Sequence, residues 1–189
     1  MTFWGGGPYH RRVIIVSALR HIERLAAERS FSRSLSLLAP WQTVIFEDAC
    51  LPRDRLILAF NDITAPQQGC IMPDETLVGA ILDFGAACRA DDSVLVHCWM
   101  GVSRSPAAAY IIACARAPGA ERAIARALRQ ASAIATPNRL LVSIADDLLV
   151  RGGTMVDAID AIGRGKDFDG DAPPFALPLD WSEDADEHL

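Results

Sequence analysis

From Ala107 to Ala117 the chain reads AAAYIIACARA, with Arg116 its one charged residue. A helix apolar on every side belongs in the centre of a domain, so the remaining segments must be arranged around this one. The flanking pattern indicates how. Val13 to Val16 reads as a short buried strand, and Leu19, Ile22, Glu23 and Leu25 continue at helical spacing. Ser34 to Leu38 and Thr43 to Phe46 read as strands around Pro40, and Leu56 to Phe60 as a further strand. That strand ends at Asn61-Asp62 and a loop containing Pro66 and Gly69. Pro73, Asp74 and Glu75 start a helix on which Leu77, Ile81, Phe84 and Cys88 share one face. Ser93 to Val96 is the strand that leads toward the central helix. Further helices are expected at Glu121 to Ala133, Asn138 to Val150 and Thr154 to Ile162, the last with Thr154 and Asp157 as a capping box. Strands alternating with helices predict an α/β domain with a mostly parallel central sheet and helices on both faces.

The chain of 189 residues suits a single domain of this kind, expected over residues 1–163. From residue 164 the composition turns acidic and proline-containing, with Asp167, Asp169, Asp171, Pro173, Pro174 and Pro178. That predicts a loosely ordered tail over 164–189, with docking of Phe175, Leu177 and Trp181 on the domain surface as the alternative. No apolar stretch approaches the roughly 18 residues of a membrane span, so a soluble protein is expected. Arg11 and Arg12 before Val13 to Leu19 imitate a signal peptide, but His21, Glu23 and Arg24 stand where a small-residue cleavage site belongs. The net charge of −6 argues against nucleic acid or an anionic membrane as a partner, so any anion must be caught locally. The five cysteines (Cys50, Cys70, Cys88, Cys98 and Cys114) are odd in number and form no C-x-x-C pair. Such usage suits reduced thiols in a cytoplasm better than a disulfide framework or a zinc site, and neither a metal nor a cofactor is expected.

The chemistry-bearing stretch is His97-Cys98-Trp99-Met100-Gly101-Val102-Ser103-Arg104-Ser105-Pro106. It places a cysteine directly after a strand and an arginine where a helix begins. A loop in this position can curl so that successive backbone N–H groups point into one concavity, to which the helix adds its positive end. Gly101 permits a positive φ or a close backbone approach. Ser105 suits the helix N-cap and Pro106 the first helical position. Arg104 supplies a planar fork for two oxyanion oxygens, and the same donors would favour Cys98 as the thiolate, the nucleophilic form. A bare C-x5-R arises by chance about once in two chains of this composition. The full string, with its His, Gly and Ser, arises on the order of once in ten thousand.

His97 to Ser105 resembles the H-C-x5-R-S/T signature of the cysteine-dependent protein tyrosine phosphatases, in the compact dual-specificity-like branch. The resemblance covers roughly Val13 to Ile162 by order of elements. It implies a phosphatase α/β fold and metal-independent phosphomonoester hydrolysis through a cysteinyl-phosphate, with a phosphorylated protein or small aryl phosphate as substrate. It also implies roles: Cys98 as nucleophile, Arg104 as phosphate clamp, Ser105 aiding departure of the thiolate, and His97 supporting the loop. Cleavage further needs a general acid that then serves as base for the attacking water. Asp62, at the end of a strand and before Pro66 and Gly69, resembles the acid of this family and is favoured over Glu47, Asp48 and Asp74. Asp62 also reads as an Asx-turn residue and Asp74 as a helix N-terminal charge. Pro137-Asn138 resembles a pair that supports the site in this branch, and a helix N-cap explains Asn138 equally well. Trp99 is expected to rim the pocket or to pack beneath it, Cys114 to lie in the core and Cys88 at the far end of the sheet. Cys70, in the acid loop, is the one cysteine placed to pair with Cys98.

Rhodanese-like sulfurtransferases also use a loop cysteine before a helix, but their loops usually lack the Arg-Ser pair and need no upstream acid. Low-molecular-weight phosphatases and arsenate reductases carry the loop near the N-terminus with the acid downstream, the reverse of the order here. A phosphoinositide phosphatase would be served by lysines or arginines inside the loop, and Trp99 to Ser103 contains none. A non-catalytic phosphate-binding module would lack the nucleophile, the arginine or the acid.

Overall fold

A strand buried along its whole length needs cover on both faces, and β4 (Ser93–Cys98) is buried at every residue. The computed structural model, which describes residues 13–44, 50–170 and 172–181, places β4 in the middle of a five-stranded sheet. Its neighbours are β1 (Val13–Ala18) and β2 (Arg33–Leu38), both parallel to it. β3 (Asp54–Ala59) extends the sheet beyond β2, again parallel, and is largely exposed. The fifth strand, β5 (Phe175–Pro178), lies antiparallel on the outer side of β1. The order is therefore β3-β2-β4-β1-β5, a mostly parallel sheet in an α/β fold, as the alternating pattern predicts.

The period-two alternation of the strands divides the core. Ile14, Val16, Leu35, Leu37, Val94 and Val96 turn to one face, where they meet α3 (Glu75–Ala86), α4 (Arg104–Arg116), α5 (Glu121–Ala131), α6 (Arg139–Leu148) and α7 (Thr154–Ile162). Ile15 and Leu95 turn to the other face, where α1 (Ile22–Glu28) covers them with Ile22 and Leu25. Among the side chains of α4, those from Arg104 to Cys114 are all buried, as a helix without a polar stripe requires. Asp74 caps α3 by accepting from the Leu77 N–H at 2.8 Å, and Val78, Ile81 and Phe84 form its buried face.

Four local expectations are corrected. Thr43 and Val44 are not in a strand: they end a short helix, α2 (Pro40–Val44), whose first turn is closed by Gln42 Oε1 accepting from the Ala39 N–H at 2.7 Å. Ile45 and Phe46 lie outside the described residues, as do Glu47 and Asp48. Helix α4 starts at Arg104 with Ser103 in the N-cap position, so Ser105 and Pro106 fall inside its first turn. The capping box at Thr154 does not form. Gly153 occupies the N-cap with φ 91°, and Asp146 of α6 accepts from the Gly153 and Met155 N–H groups at 2.6 and 2.8 Å. A carboxylate from a neighbouring helix thus satisfies the donors that a local cap would have taken.

The fourth correction concerns the segment after Ile162. Residues 172–181 do not hang loose: Phe175, Leu177, Leu179 and Trp181 enter the main core. The segment before them is tied as well, with Lys166 N–H donating to Ala133 O at 2.8 Å and Arg129 to Gly163 O at 2.8 Å. Docking wins over disorder because β1 would otherwise present an unpaired edge beside an apolar face. Leu177, 1% exposed and paired with Ile14 across β1, carries much of this contact. Leu177→Ala should lower the unfolding free energy by about 2–4 kcal/mol in urea denaturation at neutral pH. A loss below about 0.5 kcal/mol would mean that β5 is peripheral to the cooperative unit.

Candidate active site

The loop that carries the signature begins where β4 ends. Its turn depends on Gly101, which has φ 72°; a Cβ there would stand 2.7 Å from the backbone nitrogen of Ala18. Only glycine meets both demands at once. The turn brings the Gly101 N–H to 3.2 Å from Cys98 Sγ, and the Ser105 hydroxyl donates to the same sulfur at 3.1 Å. Cys98 is 2% exposed, and its sulfur lies at the start of α4, where it accepts from both donors. Ser105 therefore touches the Cys98 sulfur instead of capping the helix.

Arg104 follows on the first turn of α4 and is buried, with 4% exposure. Its Nη1 donates to Phe60 O at 2.9 Å and its Nη2 to Gln42 Oε1 at 3.3 Å, while Nε faces Asp62 Oδ2 at 4.0 Å. Asp62 stands just beyond β3 with its Oδ1 accepting from Ser103 Oγ and Asn138 Nδ2, both at 2.8 Å. Asn138 combines the two readings that its sequence position allows. Its Oδ1 caps α6 by accepting from the Leu141 N–H at 3.1 Å, while its amide nitrogen holds Asp62. The segment before α6 also braces the loop from outside, the N–H groups of Thr136 and Asn138 donating to the carbonyls of Val102 and Ser103.

His97 is fully buried on β4, with Nε2 2.7 Å from the hydroxyl of Ser36 across the sheet. Desolvation pushes its pKa down to about 4, a backbone hydrogen bond at Cys98 opposing only part of that shift. It is a neutral imidazole at neutral pH, fixing the strand end beneath the loop. Trp99 packs edge-on against Trp41 of α2, with ring centroids 5.1 Å apart, and Trp41 and Met100 are exposed beside the loop. On the acid side, a cleft of about 430 Å³ adjoins Asp62, Ser103 and Asn138 and extends to Thr64, Gln67 and Arg139.

The site thus brings together Cys98, Arg104, Ser105, Asp62 and Asn138 from three separate stretches of the chain. Asp74 is spent on capping α3, and Cys70 and Cys98 are thiols with no disulfide between them. Cys114 is a buried core thiol, with its pKa raised by desolvation. Cys88 lies toward the opposite sheet end, its Sγ donating to Phe84 O. Sequence reading passes over Gln42, the Phe60 carbonyl and Ser36. Ser36 had a signal, being polar within the apolar strand Leu35 to Leu38, whereas Gln42 had none. Comparison of the chain with models of known families, with curated proteins and with solved structures finds no match.

The buried imidazole has a measurable consequence. An unfolded histidine titrates near 6.5, so between pH 6.5 and 4 the unfolded chain binds more protons than the folded one. The His97 contribution is fully present above pH 6.5 and is lost as pH falls, to a total of about 3 kcal/mol. Urea denaturation between pH 6.5 and 5 should show a slope approaching about 1.4 kcal/mol per pH unit. His97→Gln, which keeps a polar atom near Ser36, should flatten it; equal slopes for both proteins would assign the pH dependence elsewhere.

Proposed function

We propose that the protein is a cysteine-dependent phosphatase that hydrolyses phosphomonoesters through a cysteinyl-phosphate, with phosphotyrosine as the favoured substrate class. The observation that carries this reading is the convergence on one sheet end of a sulfur with two donors, a buried guanidinium and a carboxyl on a separate loop. Each has a distinct task. The guanidinium of Arg104 engages two non-bridging oxygens and orients phosphorus toward Cys98 Sγ. Sulfur attacks phosphorus, the ester P–O bond breaks, and Asp62 gives a proton to the leaving oxygen. Water then attacks the phosphocysteine as Asp62 takes its proton, and the P–S bond breaks. The Ser105 hydroxyl, already 3.1 Å from the sulfur, stabilises the thiolate that departs.

The surroundings favour aryl or peptide phosphates over polyphosphorylated headgroups. No lysine or arginine occurs between Trp99 and Ser103, and the loop is flanked by the Trp41–Trp99 pair and Met100. An apolar flank stabilises an aromatic leaving group and offers nothing to additional phosphates. Because the nucleophile must stay reduced, this reading places the protein in a reducing compartment such as the cytoplasm. Among the described residues no helix is long and apolar enough to cross a membrane.

The test is hydrolysis of p-nitrophenyl phosphate in EDTA and reductant. Wild type should turn over, and Cys98→Ser should abolish turnover. Asp62→Ala should lower kcat by about 10²–10⁴-fold and remove the fall in rate toward alkaline pH. No turnover by folded wild type would reject the enzyme assignment, and a preference for a phosphoinositide over a phosphotyrosine peptide would reject the substrate class.

A further inference from the structure

We propose that Gln42 is a positioning residue for the phosphate clamp, holding Arg104 through a neutral carbonyl so that the guanidinium charge stays available to a phosphoryl dianion. The inference rests on the phosphatase reading above and adds to it a residue outside the signature loop.

Gln42 lies on the short helix α2, far from the loop in sequence, and is 4% exposed. A buried amide must spend its polar atoms on partners. Its Oε1 accepts twice, from the Ala39 N–H at 2.7 Å and from Arg104 Nη2 at 3.3 Å. The first bond fixes the glutamine carbonyl against its own backbone turn, and the second transmits that position to the guanidinium. Phe60 O performs the same service for Nη1 from the end of β3. Both acceptors are dipoles without net charge. Among the described residues Arg104 Nε has no hydrogen-bond partner, and the Asp62 carboxylate faces it at 4.0 Å with its other oxygen occupied by Ser103 and Asn138.

This arrangement separates orientation from charge neutralisation. A glutamate in place of Gln42 would orient Arg104 as well, but it would form a charge-assisted pair that an incoming dianion would have to displace. A glutamine orients the fork while leaving its charge to the ligand. A buried cation whose hydrogen bonds run to dipoles, and whose facing carboxylate, Asp62, is part-exposed at 4.0 Å, is incompletely compensated until an anion arrives, and that cost is recovered as affinity for the anion.

The experiment compares wild type, Gln42→Glu and Gln42→Met by p-nitrophenyl phosphate kinetics in EDTA and reductant, inhibition by inorganic phosphate, and thermal unfolding. Gln42→Glu retains an acceptor for the Ala39 N–H, so it should fold with a melting temperature close to wild type. Its KM and its inhibition constant for phosphate should rise together by about tenfold, the ordinary effect of one charge-assisted competitor. A residue that merely caps Ala39 would leave both constants unchanged, because a carboxylate caps as well as an amide. Gln42→Met should lower kcat/KM by about ten- to a hundredfold through loss of one hydrogen bond to a charged group. Wild-type constants in a folded Gln42→Glu overturn the proposal, whether or not Gln42→Met folds. A wild type that neither hydrolyses the ester nor binds phosphate overturns the phosphatase reading, and the inference falls with it.

Discussion

Helix α4 has no polar face to offer to water, and the architecture of the carboxyl end of the sheet follows from that constraint. Buried from Arg104 to Cys114, the helix must run behind β4 with other helices around it, which fixes its first turn against the sheet. The connection from Cys98 to Arg104 is therefore anchored at both ends. Anchored ends and a short connection leave little freedom, and Gly101 is the residue that makes the turn sterically possible. The donors around Cys98 Sγ are thus a result of packing: the apolar side chains of α4 hold its polar first turn in place. Sites built on rigid elements in this way keep their geometry more closely than sites borne on free loops.

Readability from sequence follows the range of the interactions involved. The signature loop, Gly101 and the buried α4 depend on neighbours a few residues away, so their pattern is explicit in the chain. Asp62 was accessible because it follows a strand and opens a loop with Pro66 and Gly69, a position where chains place functional groups. Asn138 was accessible only as one of two readings, since its cap is local and its bond to Asp62 spans 76 residues of sequence. What failed was governed by partners distant in sequence. The apparent capping box at Thr154 was displaced by Asp146 of another helix, and the acidic composition after residue 163 concealed apolar residues that complete the core. Thr43 and Val44 look like strand residues by composition, but Pro40 and the side chain of Gln42 fold them into a helical turn.

The buried polar groups fall into two sets, and charge compensation separates them. In the helical layer, Glu121 stands 3.8 Å from Arg151, Asp146 receives two backbone N–H groups, and the Tyr110 hydroxyl donates to carbonyls of Glu121 and Met155. These groups tie α4, α5, α6 and α7 together, and each charge has been answered by a partner of the protein itself. Such a network serves structure, since a paired buried charge has nothing further to attract. At the carboxyl end of the sheet the pattern differs. Arg104 is as deeply buried as Glu121, yet its hydrogen bonds run to two neutral carbonyls, and the carboxylate that faces it at 4.0 Å, Asp62, is part-exposed where Arg151 and Glu121 are both largely buried. Burial with incomplete neutralisation raises the free energy of the isolated protein and is relieved by an external ion. An anion bound beside Arg104 would complete that compensation, the part that the proposed function gives to the phosphoryl group, and this argument is independent of the C-x5-R spacing.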